Sequence, residues 1–430
     1  MYEGLAESHR RRGHSLLILG RPEAARASYQ KSVAIEEWLV DKLQDKRLAG
    51  QFARSLNALG NALLLDGRGG SAVPAYEKAV ALLTPLGDGD GQGEAALAAS
   101  QYALGNALLA QGKASLASGH YQAAIAGQAR ILQKDTSSHG LTALAASWVN
   151  MGNCLLSQQK LEAAASHFDK AVELHGRLSE SKTATELALV LALAYNNRGV
   201  IRRIQGQPDA AIADFGEAER IVSQSSGRPP DSEFAIASAG RRASEAPEVT
   251  LDVAAGLSEK TIEILPRTRL VEQGRRKSYA VVRAMSLKNL GNTRLAQGNP
   301  QGALGNFQKA AEEYASLVEI DEQKDLAAPF ARTLSPIAWV YATHPDPAIR
   351  NGEKAKQYAS KACELTDWKS IHPLEALAAA CAETGSFAQA IKWQQLALDG
   401  APVERKPDVR ARLELYRSGK PYRTSTPKGS

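Results

Sequence analysis

A short phrase returns four times along this chain: Leu59-Gly60-Asn61, Leu104-Gly105-Asn106, Met151-Gly152-Asn153 and Leu290-Gly291-Asn292, with looser copies at Gly13 and Gly199. Downstream of each glycine the same residue types recur at fixed offsets. Seven residues on stand Gly20, Gly67, Gly112, Gly206 and Gly298, with Gln159 the exception. Twelve on stand Ala25, Ala72, Ala117, Ala164, Ala211 and Ala303. Sixteen on there is always an aromatic, Tyr29, Tyr76, Tyr121, Phe168, Phe215 or Phe307, and nineteen on a small residue, Ser32, Ala79, Ala124, Ala171, Ala218 or Ala310. A chain that keeps such a register must stack like units against one another, because no single unit can bury its own apolar face.

The physical content of the register is a helical hairpin. The first glycine lacks a Cβ and lets two helices approach closely, and the second lies where a left-handed C-terminal cap favours glycine. Beyond that turn the alanine, aromatic and small residues recur at helical spacing on one face of a second helix. The expectation is an all-α, right-handed α-solenoid of eight or nine antiparallel hairpins, each with a helix A before the turn and a helix B after it. Aromatics are only 6% of the 430 residues, and no β-branched clusters stand out, which agrees with helices rather than sheets.

These residues resemble the tetratricopeptide repeat, whose pattern sets a small residue in helix A, a turn glycine, then Ala, an aromatic and Ala along helix B. The family unit is about 34 residues. Here the glycines are spaced 47, 45, 47 and 47 apart and then 92, close to two units. The long unit and the Leu-Gly-Asn phrase are similar to the extended repeats of kinesin light chain and related adaptors, a resemblance that implies a helix A lining a peptide groove. The run from Ala338-Trp339 through Pro345-Asp346-Pro347 to Cys363-Glu364-Leu365 resembles the closing module of bacterial tetratricopeptide proteins, some of which carry a serine/threonine kinase.

The register divides the chain into an N-terminal array of five hairpins at 1–224, a degenerate repeat and hinge at 225–275, a hairpin at 276–325, further hairpins at 326–402, and a capping helix with a polar tail at 403–430. Within the second segment, taking Gly240 as the missing glycine puts Asp252, Gly256 and Glu259 at the repeat offsets, so a unit near 231–265 is expected to be degenerate.

The formal charge of +6 leaves a mild basic bias, since Lys and Arg are mixed with 46 acidic residues. Three cysteines, Cys154, Cys363 and Cys381, form no CxxC pair and fit a reducing cytoplasm better than a disulfide framework. No signal-like segment opens the sequence, and no apolar run is long enough for a membrane span. Helix A of the first unit starts almost at Met1, as it would if a further domain preceded it, so the regulatory portion of a larger bacterial kinase is the alternative reading.

Catalytic patterns are not found. Gly105 to Gly112-Lys113 has the wrong glycine spacing for a phosphate loop, and Ala114 replaces the magnesium-binding hydroxyl. Asp88-Gly89-Asp90-Gly91 opens like a calcium loop, but Ala99 stands where the bidentate carboxylate belongs. His167 and His175 are eight apart and cannot chelate from adjacent turns. A non-catalytic chain with no cofactor is expected. Arg10-Arg11-Arg12, Arg241-Arg242 and Arg275-Arg276-Lys277 are scattered over different units, which argues against nucleic acid as partner.

Binding is expected along helix A, where residues three and four apart share a side. The residue after each glycine and the one three before it pair Asn57 with Asn61, Tyr102 with Asn106, Val149 with Asn153 and Lys288 with Asn292, and Asn196, Arg203 and Arg54 share that stripe. Asparagine is a poor mid-helix residue, so its recurrence calls for a task, either gripping a peptide main chain or bonding a neighbouring helix. Arg54, Arg203, Lys288 and Arg294 would favour an acidic or C-terminal carboxylate ligand. The expected partner is therefore a protein or peptide segment, held by Asn57, Asn61, Tyr102, Asn106, Asn153, Asn196, Arg203, Lys288 and Asn292.

Overall fold

The register in the sequence is a register of contacts. A Cβ added to Gly13, Gly60, Gly105, Gly152, Gly199 or Gly291 would lie 2.5 to 2.8 Å from the ring of Tyr29, Tyr76, Tyr121, Phe168, Phe215 or Phe307, the aromatic sixteen residues on. Each ring thus rests on bare backbone of its own helix A. The alanines at the twelfth position and the small residues at the nineteenth are all fully buried. Every position that the spacing assigns to the core is in it.

The computed structural model describes residues 2–42, 46–66, 68–86, 91–134, 138–178, 185–225, 269–320 and 326–424. The degenerate unit expected at 231–265 lies outside the described residues. Among the described ones the regular structure is helical throughout: α1 (Tyr2–Ile18), α2 (Pro22–Lys42), α3 (Ala49–Leu65), α4 (Gly69–Leu83), α5 (Gly91–Ala110), α6 (Ala114–Lys134), α7 (Ser138–Ser157), α8 (Leu161–Leu178), α9 (Thr185–Ile204), α10 (Pro208–Ser225), α11 (Arg269–Ala296), α12 (Pro300–Ala315), α13 (Ala327–Thr343), α14 (Gly352–Glu364), α15 (Ile371–Glu383), α16 (Phe387–Gly400) and α17 (Lys406–Arg417), with short 3₁₀ and π turns. Odd-numbered helices to α15 are helix A of a hairpin and the next even one is its helix B.

The described chain forms two units, one of residues 2–198 and 269–278 and one of residues 199–225 and 279–424. In the first, α1 to α8 pack in sequence, each hairpin against the next. In the second, Phe307, Tyr314, Phe330 and Leu334 build a core between α12 and α13, and Leu374, Leu377, Leu413 and Tyr416 build another among α15, α16 and α17.

The A-to-B turns at Gly20, Gly112, Gly206, Gly298 and Gly385 share one design. At α5–α6 the Gly112 amide donates to Leu109 O at 2.8 Å and the Lys113 amide to Leu108 O at 3.0 Å, with Gly112 at φ +73°, the left-handed C-terminal cap. Gln159 adopts the same turn at φ +61° and keeps both bonds, at a conformational cost of about 1–2 kcal/mol that glycine avoids. The C-terminal hairpin departs from the pattern. The aromatic position after Gly385 is taken by Gln394, fully buried and donating from Nε2 to Val409 O at 2.8 Å. Trp393, one residue earlier, instead stacks on Trp368 with centroids 4.9 Å apart.

One buried acid breaks the apolar rule. Glu36 on α2 is 3% exposed and faces Glu7 and Arg10 of α1 and Arg54 and Ser55 of α3. Burial pushes its carboxyl up to about 7, against smaller lowering by the Ser55 hydrogen bond and the arginines. The folded chain therefore binds this proton more tightly than the unfolded one. Its contribution to stability is fully present below the ordinary carboxylate range and is lost as pH rises through 7.

Two outcomes are expected from this packing. Phe168→Ala should cost about 3–5 kcal/mol, and Gly152→Ala about 1–3 kcal/mol by forcing the ring away. In Gly152→Ala/Phe168→Ala the combined loss should be smaller than the sum of the two separate losses in denaturant melts. Glu36→Gln should be more stable than the parent at pH 8 by on the order of 2–3 kcal/mol and equal to it near pH 4, flattening the stability profile between.

Candidate functional site

The helix A asparagines of the first unit bond to one another across repeats. Asn106 Oδ1 accepts from Tyr121 Oη at 2.7 Å, within its own hairpin, and from Asn150 Nδ2 at 2.9 Å, from the next. Asn150 also donates to Tyr102 Oη at 3.3 Å. One unit further on, Asn153 Oδ1 accepts from Asn197 Nδ2 at 2.9 Å, and Asn197 Oδ1 accepts from Asn196. Asn61 Oδ1 accepts from Tyr76 Oη at 2.6 Å, and Asn57 donates to Ser100 Oγ at 2.7 Å. In both amide-to-amide links the acceptor stands one residue after its glycine, and the donor from the next helix A two residues before its own.

These bonds decide which expected ligand residues face solvent. Asn196 is 0% exposed and Asn153 7%, and Asn197 bonds to both. Tyr102 and Asn106 are half-buried, and burial raises the Tyr102 hydroxyl well above the ordinary phenol range, keeping it a neutral hydrogen-bond partner. Asn61 is exposed. Asn57 is half-buried, and its Oδ1 is itself buried and finds no hydrogen-bond partner among the described residues.

The second unit holds a different chemistry. Lys288 on α11 is half-buried beside Arg203, at the end of α9, and Arg332, near the start of α13. Burial pushes the Lys288 ammonium down to about 8, and both arginines push the same way. Burial also lowers Arg203, whose Nε has no hydrogen-bond partner among the described residues. No acidic residue is among the causes of either shift, and neither cation forms an ion pair among the described residues. Arg283, by contrast, sits between Glu219 at 3.1 Å and Glu313 at 2.7 Å. Asn292, half-buried, lies one helical turn from Lys288 on α11. Arg294 is buried and engaged, so it adds no free charge. Arg332 lies outside the expected stripe, and only its proximity to Lys288 in space brings it in.

Among the described residues no cluster of three His, Cys, Asp or Glu could hold a metal ion, and no helix is long and apolar enough to cross a membrane. Cys154, Cys363 and Cys381 are buried, and burial raises each thiol, which keeps them unreactive.

Two stretches, residues 6–37 and 102–179, match models of the tetratricopeptide repeat. This chain is a tetratricopeptide-repeat protein. Its fold is similar to a signal transduction ATPase with numerous domains from Pyrococcus horikoshii, which carries a tetratricopeptide repeat sensor. The TM-score is 0.50 at 13% identity over 96% of this chain, which spans 55% of that one. BtubC (BKLC) from P. vanneervenii aligns with a TM-score of 0.45 and 17% identity over 69% of this chain and 92% of its own. Yeast Tom70 aligns over 97% of this chain and 96% of its own at 14% identity, with a TM-score of 0.27. At 13% identity the likeness to the Pyrococcus ATPase is one of fold. No curated protein matches this tetratricopeptide-repeat sequence.

If the cross-repeat amides hold the register of the array, Asn106→Ala strips a bond from both Tyr121 and Asn150. It should cost about 1–3 kcal/mol in thermal or denaturant melts, whereas Asn61→Ala, at an exposed position, should cost about 1 kcal/mol or less.

Proposed function

We propose that this tetratricopeptide-repeat protein is a non-catalytic scaffold that binds extended acidic peptide segments, with Lys288, Arg203 and Arg332 receiving the acidic groups. The observation that carries this reading is the pair Lys288 and Arg203, which burial has partly stripped of water with no carboxylate beside them among the described residues, next to the exposed Arg332. A buried cation that lacks a partner is costly, and a ligand anion that supplies one recovers the cost as affinity. Asn292, close by on α11, is placed to hydrogen-bond the main chain of the same segment. In the first unit the exposed Asn61 and Asn57, with its unfilled amide oxygen, serve the same purpose, while Asn106, Asn153 and Asn196 serve the fold.

The pKa of Lys288 gives the proposal a distinctive test. A ligand carboxylate beside the ammonium raises its pKa from about 8 towards the ordinary value, so binding takes up a proton where the free lysine is neutral. Affinity should therefore hold steady below pH 8 and weaken roughly tenfold from pH 7 to pH 9. An acidic peptide array, with calorimetry on the best sequence, measures this. Lys288→Met should weaken binding by about 1.5–3 kcal/mol, and Lys288→Arg should keep the affinity while removing the pH dependence. Binding that is indifferent to both substitutions, with the fold intact, would count against the site.

A further inference from the structure

The chain beyond α17 turns back along the molecule. Gly419 takes a left-handed conformation, φ +69°, with its amide donating to Tyr416 O and the Lys420 amide to Leu415 O, and the residues after it run extended over α13, α15 and α17. Tyr422 packs on the Trp339 ring, centroids 5.7 Å apart, and the Arg412 guanidinium lies 5.5 Å from one ring and 5.6 Å from the other. Arg423 pairs with Glu383 at 2.5 Å and donates to Ala342 O at 3.4 Å. The Thr424 amide donates to Thr343 O at 2.9 Å, and its hydroxyl to the same oxygen at 3.2 Å.

This is how a protein holds a foreign peptide: an aromatic slot, a carboxylate for a cation, and main-chain bonds to an extended strand of residues. The acceptors are the last carbonyls of α13, which no intrahelical amide reaches, and they carry the negative end of the helix dipole. Glu383, already bonded to Arg350 at 2.9 Å, adds a formal charge of the same sign. The slot therefore selects an aromatic side chain with a cation next in the chain. Pro421, Tyr422, Arg423 and Thr424 all remain half-exposed, so the segment lies on the surface and can leave without opening a core.

We propose that this face of α13, α15 and α17 is a docking site for an extended aromatic–arginine peptide of a partner protein, and that the chain's own Tyr422–Thr424 fills it as an internal competitor. The site is separate in residues and opposite in charge from the Lys288 cluster, and it does not depend on the reading of that cluster.

The test uses the full chain opened by Tyr422→Ala/Arg423→Ala and a fluorescein-labelled peptide, Gly-Lys-Pro-Tyr-Arg-Thr, read by fluorescence anisotropy. The opened chain should bind at least tenfold more tightly than the parent. Binding should be lost when the peptide Tyr or Arg is changed to Ala, or when Glu383→Gln is added to the opened chain. Equal binding by parent and opened chains, or none by a folded opened chain, overturns the proposal. So does loss of the helical signal in the opened chain, which would make the segment a structural cap. A concentration-dependent dimer of the parent that the double variant abolishes would put a second copy's tail in the slot and overturn the partner reading.

Discussion

An aromatic ring lying on a helix with no Cβ beneath it is the contact on which the rest depends. Six times the ring of a helix B meets a helix A glycine so closely that a methyl group could not be added without displacement. That approach sets the separation of the two helices, and the separation decides which other positions must be small. The small residues at the twelfth and nineteenth places are fully buried because the hairpin is already closed by the ring. Dispersion and apolar burial supply the stabilisation, while the glycine supplies the geometry.

Much of this is legible in the sequence because the contacts have fixed chain separations. Gly152 and Phe168 are sixteen residues apart in one hairpin, and a pattern of that kind shows in a single chain once it repeats. The asparagines are harder to read. Their recurrence marks them as special, but the partner of Asn153 is Asn197, across a repeat boundary, and the offset that relates them is visible only when two neighbouring helices are placed side by side. Sequence alone therefore does not show that Asn153 and Asn196, both on the expected ligand stripe, are buried. Gln394 and Glu36 are illegible for a related reason. A polar residue in a core position is explained by the carbonyl or hydroxyl it meets, Val409 O or Ser55, and nothing local announces those.

The two units divide labour in their polar chemistry. In the first, the helix A amides and phenols satisfy one another. In the second, Lys288 and Arg203 are drawn inward from two A helices beside the exposed Arg332, while another arginine, Arg283, is paired with both Glu219 and Glu313. The contrast within one unit matters, because among the described residues carboxylates meet Arg283 and none meets Lys288.

The amide links between helices have a consequence for how such an array changes length. Asn106 meets Asn150 as Asn153 meets Asn197, one period of 47 residues later, with the same donor and the same acceptor. A unit duplicated at that period arrives carrying both halves of the link, so it can be spliced beside its parent and bond on either side without any new complementary mutation. Charged links would need their signs matched at each junction. Self-complementary amides make the units interchangeable, and growth by whole-repeat duplication becomes the path of least resistance for this array.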